Sequence, residues 1–395
     1  MRIAIFSDNF YPELSGVSDS IINLAKELVK FGHQVVFFVP KYSLKNFKKS
    51  GLPKRELDLG KSVKIYRLGS IPFSGSSSQA RMVLPSLWRW LKVKKINPDI
   101  IHTQLIYGVG LEALTAAKFL KIPLVGTNHT YLREFIRYSP IHAEWFKTYA
   151  LHYDAWYYNC CDYVTAPSNC VFDEMVKNCF LKPHQVISNP IDTESFLPGS
   201  ERKRLEAKKE FKLTPSTIFY PGRIAAEKKI DVIVRALAIV KEKIPDVNFA
   251  IAGHGNSLSN LKILIQELGL DRNVKIFGIL DKPTLVRLYQ GCDIFAIAST
   301  SETQSITMLQ AMACGLPVVG VNSLALPEYI NSKNGLLVEA GDYKAMAEKI
   351  IYLFQNHSKM QELGQGGHKF AQNFSAENIA RQWEKIYSKV IAMKK

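Results

Sequence analysis

The sequence predicts an α/β protein built of two consecutive domains, each a mostly parallel sheet covered by helices. Three observations lead there. The chain has 395 residues and is 47% hydrophobic, more than one core usually absorbs, since single cores stop growing at roughly 250 to 300 residues. Short β-branched runs bounded by Gly, Pro or Asn alternate with stretches of helical periodicity. This series runs once to Asn189-Pro190 and begins again after a polar stretch, Gly199 to Thr214, whose composition suits a linker and approach helix. The division expected is 1–193 together with a last helix 375–395, and 194–374.

The first series opens with strand Ile3 to Phe6, a polar loop to Gly16, a helix from about Ser18 to Phe31 stopped by Gly32, and strand Val35 to Val39. Ile100 to His102, Leu124 to Gly126 and Tyr163 to Ala166 continue it as further strands. The second series reads Ile218 to Tyr220, Val247 to Ala252, Val274 to Phe277, Ile294 to Ile297 and Pro317 to Val321. An internal echo, Cys161-Asp162-Tyr163-Val164-Thr165-Ala166 against Cys292-Asp293-Ile294-Phe295-Ala296-Ile297, occupies matching places near the end of each series and suggests two related halves. From Ser375 a final helix carries Ile379, Trp383, Ile386, Tyr387, Val390 and Ile391 as one apolar stripe, which must be buried against one domain or the other.

Several function classes are excluded or weakened. No apolar run reaches spanning length, and the first residues form a strand and lack the segments of a signal peptide, so a cytoplasmic protein is expected. The six cysteines form no C-x-x-C pair and read as reduced packing residues. No Asp-x-Asp pair is present, so no metal is expected. Gly253-His254-Gly255 follows a strand but lacks the third glycine of a dinucleotide fingerprint, which disfavours a dehydrogenase.

The net charge of +16 is concentrated. Lys41 to Lys95 holds fourteen cations and two acids. Leu84, Leu87, Trp88 and Leu91 lie there at helical spacing, interleaved with Arg81, Arg89, Trp90, Lys92, Lys94 and Lys95, a pattern suited to an anionic membrane surface. The alternative is that these apolar residues pack on the first sheet while the lysines face water. A nucleic-acid partner rests on charge alone and is not expected.

Candidate chemistry collects past strand ends, where open α/β sheets bind ligands. Pro221-Gly222-Arg223 follows a strand and leads to Lys228, expected at a helix start; two cations so placed stabilise a departing phosphate group. Glu302 follows strand Ile294 to Ile297, ahead of a helix carrying Ile306, Leu309 and Ala313 and stopped by Gly315 and Pro317. Gly16 would let backbone amides approach an anion, and His129, in Gly126-Thr127-Asn128-His129-Thr130, could hydrogen-bond a substrate.

Together Pro12 to Gly16, His129, Arg223 with Lys228, Glu302 and its helix, and Gly315-Leu316-Pro317-Val318-Val319 resemble the family 4 retaining glycosyltransferases. The resemblance covers nearly the whole chain and implies the GT-B fold, two Rossmann-like domains facing across a cleft, with the last helix crossing back to the first domain. It implies a nucleotide diphosphate sugar as donor; beyond that substrate no cofactor is expected, and no metal for want of the Asp-x-Asp pair. Glu302 would contact the sugar hydroxyls, Arg223 and Lys228 would hold the diphosphate, Gly16 would border it and His129 would sit beside the sugar. Gly222, Gly253, Thr303, Gln304, Ser305 and Gln310 complete the implied donor site.

Two departures stand out: Gln310 replaces a second glutamate that binds ribose, and Ser15 replaces the first of a glycine pair. The Thr-Asn-His-Thr segment, the Ser-Glu-Thr-Gln turn and the basic aromatic region look like the membrane glycolipid synthases that glycosylate diacylglycerol. The function expected is transfer of glucose from UDP-glucose to a lipid hydroxyl with retention, at the inner face of the membrane. A soluble glycan acceptor and a sugar-nucleotide-binding protein without transferase activity stand as alternatives.

Overall fold

A computed structural model describes residues 1–13, 15–52, 54–73, 79–86, 88–136 and 143–394. The chain divides into two units, Met1–Pro190 with Ala376–Lys395, and Ile191–Ser375.

Unit 1 is a seven-stranded sheet in the order β3-β2-β1-β4-β5-β6-β7, formed by β1 Arg2–Phe6, β2 Gln34–Pro40, β3 Val63–Leu68, β4 Ile100–Thr103, β5 Leu124–Thr127, β6 Tyr163–Ala166 and β7 His184–Val186. Every pairing is parallel; Ile3, for example, lies opposite Val35 on one side and Ile100 on the other. Helices must then cover both faces, and each face has its own core. One contains Phe6, Phe38, Val93, Val109, Ala113, Ala155, Tyr157 and Met175 under the helices 90–96, 108–120, 144–159 and 169–177. The other contains Ile5, Phe37, Ile21 and Leu24 under the helix Gly16–Lys30, together with Trp383 and Tyr387 of the last helix, Ala376–Lys394. The apolar stripe read near the C-terminus is thus buried on unit 1.

Unit 2 is a six-stranded parallel sheet in the order β10-β9-β8-β11-β12-β13, formed by β8 Thr217–Pro221, β9 Asn248–Ala252, β10 Val274–Gly278, β11 Ile294–Ile297, β12 Val318–Asn322 and β13 Gly335–Glu339. Phe219, Phe295, Ile233, Leu237, Met308 and Leu353 are fully buried in it. The segment read as a linker contributes the helix Glu201–Glu210, packed on the helix Lys282–Gly291 as part of this unit.

The internal echo is a local device and not a correspondence of strands. Asp162 and Asp293 each precede a strand and accept the backbone N–H that opens the neighbouring strand, of Leu124 and Thr217, at 2.8 Å in both cases. Asp99 does the same for Arg2 at 2.6 Å. Because β4 and β11 each lie beside the first strand of their series, the counterpart of Asp293-Ile294 is Asp99-Ile100, not Asp162-Tyr163.

The apolar stripe expected at residues 84–91 is corrected. The helix there is Trp90–Ile96, so Leu84 and Trp88 precede it, and Leu87 lies outside the described residues. Leu84, Trp88 and Leu91 are exposed, which also removes the alternative that they pack on the sheet.

Candidate active site

In unit 2 the chain turns from β10 back to β11, so the sheet's topological switch point lies between β8 and β11, where ligands of open α/β sheets bind. Past β8, the Gly222 N–H donates to Ala252 O at 2.8 Å and the Ile224 N–H to His254 O at 3.1 Å, which stitches this loop to the one after β9. Both glycines of the second loop are required by that closeness. A Cβ on Gly253, whose φ is +159, would lie 1.8 Å from Gly222 O, and one on Gly255 would lie 2.1 Å from Ile224 O. The incomplete fingerprint Gly-His-Gly is therefore a packing solution between two loops.

Arg223 pairs with the Glu227 carboxylate. Lys228 lies in a 3₁₀ turn, Ala226–Lys228, and not at the helix start expected; Lys229, at φ +49, separates it from the helix Ile230–Lys243. Its Nζ donates to Glu302 Oε1 at 2.8 Å, with 20% and 12% of the two side chains exposed. Glu227 O accepts from Ser299 Oγ and Thr300 N, both at 3.4 Å, so the loops after β8 and β11 hold each other, and Glu302 O accepts from Ala325 N at 3.2 Å, which ties the latter to the loop after β12. Arg223, Lys228 and Glu302 are brought to this one edge, with Gly222 and Gly253 in the two loops stitched together beside it.

Tyr220 is a member of this cluster that sequence reasoning passed over. It is buried, its hydroxyl donates to Arg223 O at 3.4 Å, and burial followed by the Glu302 charge pushes its pKa well up. One tyrosine in an apolar strand carries no signal of that kind.

Glu302 leads into Thr303, half-buried, and Gln304 and Ser305, both buried. Ser305 caps the helix Ile306–Ala313, its Oγ accepting from Met308 N at 3.2 Å. Gly315 ends that region at φ +80, the left-handed stop read from the sequence. Gln310 Oε1 accepts from Tyr289 Oη at 3.2 Å.

His129 and Gly16 belong to unit 1, past the ends of β5 and β1 in the same sheet. Gly16 opens its helix, with Ser15 as cap accepting from Ser18 N at 3.1 Å. His129 Nε2 donates to Gln104 Oε1 at 2.6 Å, and Gln104 Nε2 donates to the His102 ring at 3.0 Å. His102 is fully buried, 2.7 Å from both Tyr387 Oη and Thr127 Oγ1, with the Trp383 ring tilted against it at 4.3 Å. Burial depresses His129 to about 4, and burial with the neighbouring His129 depresses His102 to about 3, so both rings are neutral at pH 7. His102 and Gln104 were not read as site residues, because their link to His129 runs between strands.

The membrane-contact residues separate into two groups. Trp88 is 71% exposed, and Lys94 and Lys95 are exposed. The other four make contacts within the chain, Arg81, Arg89 and Trp90 half-buried and Lys92 exposed. Arg81 donates to Ser70 Oγ at 3.0 Å, Arg89 pairs with Glu112 at 2.8 Å, Trp90 stacks on Phe119 at 5.4 Å, and Lys92 lies 3.9 Å over the Tyr66 ring. No helix of the described residues is long and apolar enough to cross a membrane. Among the described residues no group of three or more His, Cys, Asp or Glu is placed to hold a metal ion.

Residues 14–195 match the family model for Glycosyltransferase Family 4, and residues 201–370 match that for Glycosyl transferases group 1. The chain is 28% identical to the alpha-monoglucosyldiacylglycerol synthase of Streptococcus pneumoniae, over 98% of this chain and 85% of that protein. It is 24% identical to the synthase of the same name from Acholeplasma laidlawii, over 99% and 98%. Among solved structures, the Anabaena protein Alr3699/HepE in complex with UDP-glucose superposes with a TM-score of 0.76 at 20% identity, over 98% of this chain and all of that one. The two family models between them span nearly the whole chain and agree with its two parallel sheets, so the protein is a glycosyltransferase of family 4, with the GT-B fold, related to the glycolipid synthases.

Proposed function

We propose that the protein moves glucose from UDP-glucose to a lipid hydroxyl, such as that of diacylglycerol, with retention of anomeric configuration. The observation that carries this is the Lys228–Glu302 pair beside Arg223 at the switch point of unit 2. Breaking the bond between the anomeric carbon and the diphosphate oxygen places negative charge on the leaving group. Two cations in a partly water-excluded corner offset it. The acceptor oxygen bonds to the anomeric carbon on the face the diphosphate leaves, and its proton passes to a diphosphate oxygen, so no carboxylate nucleophile is needed.

Glu302 orients the sugar hydroxyls by accepting their hydrogen bonds, and Gly222, Gly253, Thr303, Gln304, Ser305 and Gln310 border the nucleotide and phosphates. His129, in unit 1, is neutral at pH 7, so its ring can hydrogen-bond a hydroxyl without adding positive charge. No metal or cofactor takes part. The lipid acceptor is supported by the names of the two full-length relatives. It is supported also by the exposed Trp88, Lys94 and Lys95, which suit peripheral contact with the anionic inner face of a membrane.

The test is incubation with UDP-glucose and diacylglycerol in mixed micelles, with the product's anomeric configuration read by proton NMR. An α-glucolipid formed equally well in EDTA is expected. A β-linked product, or transfer to soluble glycans alone, overturns the proposal.

A further inference from the structure

The helix Glu144–Asn159 has a buried side, Leu151, Asp154, Ala155 and Tyr158, and an opposite side that is unusual. Trp145, Tyr149, His152 and Trp156 recur there at helical spacing, with the three aromatic rings 68%, 63% and 52% exposed. Half-buried neighbours fill the gaps: Trp145 lies 6.0 Å from Phe146, and Tyr153 lies 6.5 Å from Tyr149 and 5.5 Å from Trp156. The result is one aromatic surface along the whole helix. An exposed aromatic patch of this extent on a folded domain marks a contact surface.

Its surroundings specify the partner. The helix packs on the same core as the helices 90–96, 108–120 and 169–177, so their outer sides form one face of unit 1. That face also exposes Phe119, Val176 and Leu181. Lys118 and Lys182 both act electrostatically on Cys160 at the end of the aromatic helix. Lys94, Lys95, Lys121 and Lys177 are exposed on the same layer. The helix holds two acids: Glu144, exposed at its first residue, is paired with Lys147 at 3.7 Å, and Asp154 is buried and raised to about 8 by burial and the nearby Glu174, so it adds no charge at neutral pH. Tryptophan and tyrosine edged by lysine match the chemistry of a bilayer interface, where rings lie at headgroup depth and cations meet anionic lipid. A second copy of the chain would bring an equally basic face against this one, which like-charge repulsion disfavours.

We propose that the Trp145–Tyr149–Trp156 face is a second membrane-contact surface, which seats unit 1 on an anionic bilayer alongside Trp88, Lys94 and Lys95. The surface stands on exposure and charge, independent of the transfer chemistry.

The experiment is flotation at low salt with vesicles of phosphatidylcholine alone or mixed with phosphatidylglycerol. The intact protein should float with the anionic vesicles only. W145S/Y149S/W156S should lose binding at least about fivefold, with circular dichroism and thermal midpoint unchanged, since the rings are exposed. In a W88F/W90F variant the remaining exposed tryptophans are Trp145 and Trp156, Trp383 being buried, so brominated lipid should quench its fluorescence. Wild-type flotation of the triple-serine variant overturns the proposal, as does absence of quenching. A lipid-free dimer that the triple substitution dissociates also overturns it, by assigning the surface to self-association. Glucosyl transfer by the triple variant in detergent micelles separates this surface from the proposed transferase reaction: failure of one leaves the other standing.

Discussion

Lys228 Nζ and Glu302 Oε1 meet at 2.8 Å although 74 residues separate them in the chain. The pair holds its cation and its acid in place before any substrate arrives. The two partners have different tasks in the proposed reaction, so removing each leaves a different trace. Lys228→Ala removes charge from the diphosphate corner and should weaken UDP binding about tenfold or more, with kcat down about 100-fold. Glu302→Ala should lower kcat by a similar factor while UDP binds as well or better, since the freed lysine no longer shares its charge with a carboxylate. Calorimetric titration of UDP with steady-state kinetics separates the two, and equal loss of UDP affinity in both variants would remove the division of roles.

Gly253→Ala should damage both fold and site. The added methyl would meet Gly222 O, so the loops after β8 and β9 must part. A cost of about 1 to 3 kcal/mol is expected from overpacking against backbone, with UDP affinity reduced because the loop bearing Arg223 moves. Thermal denaturation and UDP titration on the same sample check this.

Asp154 gives a pH signature. Burial and Glu174 raise it to about 8, and Asn128 Nδ2 donates to it at 3.0 Å. A carboxyl raised in the folded state stabilises fully below its unfolded pKa, and that contribution is lost as pH rises toward 8. The neutral His129 and His102 act in the opposite sense. Their lowered pKa values cost stability as pH falls below about 6.5. Between pH 6.5 and 8 the Asp154 effect remains, with a slope of at most about 1.4 kcal/mol per unit. Asp154→Asn keeps the shape of the protonated acid and should flatten the stability profile in that window. Urea denaturation at half-unit steps measures it, and an unchanged slope would show that Asp154 is ionised in the folded protein.

Asp293 is fully buried at the start of β11, accepting from Thr217 N at 2.8 Å and from Lys208 at 2.7 Å, with Arg204 also paired to it. Burial outweighs both cations and raises its pKa. Asp293→Ala should cost about 3 to 5 kcal/mol, because it leaves a strand N–H and two cations without their acid. Asp293→Asn should cost less, since it keeps an acceptor. Chemical denaturation distinguishes them, and a near-neutral alanine variant would mean water replaces the carboxylate.

Lys94→Glu with Lys95→Glu should abolish flotation on anionic vesicles at low salt without changing the melting temperature, since both side chains are exposed. Wild-type binding should itself weaken as salt rises, over the range where screening shortens to about 10 Å or less. Binding that ignores both salt and these substitutions would place membrane contact on apolar surface alone.

The central strands were legible in the chain because they are buried on both faces, so each appears as a continuous apolar run between turn residues. The strands Val63–Leu68, His184–Val186 and Gly335–Glu339 were not; each lies at a sheet edge, where polar residues such as Lys64, Arg67 and Glu339 are tolerated, although the fourth edge strand, Val274–Gly278, was read from its Val-Lys-Ile-Phe alternation. Local chemistry also set the left-handed stop at Gly315 and the placing of Arg223 and Glu302 past strand ends. Tertiary structure alone decided that Lys228 reaches Glu302, that His129 is held through Gln104 to His102, and that His102 meets Tyr387 across 285 residues. It also matched Asp99, not Asp162, to Asp293. The reason is physical: a chain's periodicity records which of its own side chains must leave water, whereas the partners they find depend on the order in which crossovers lay the strands side by side.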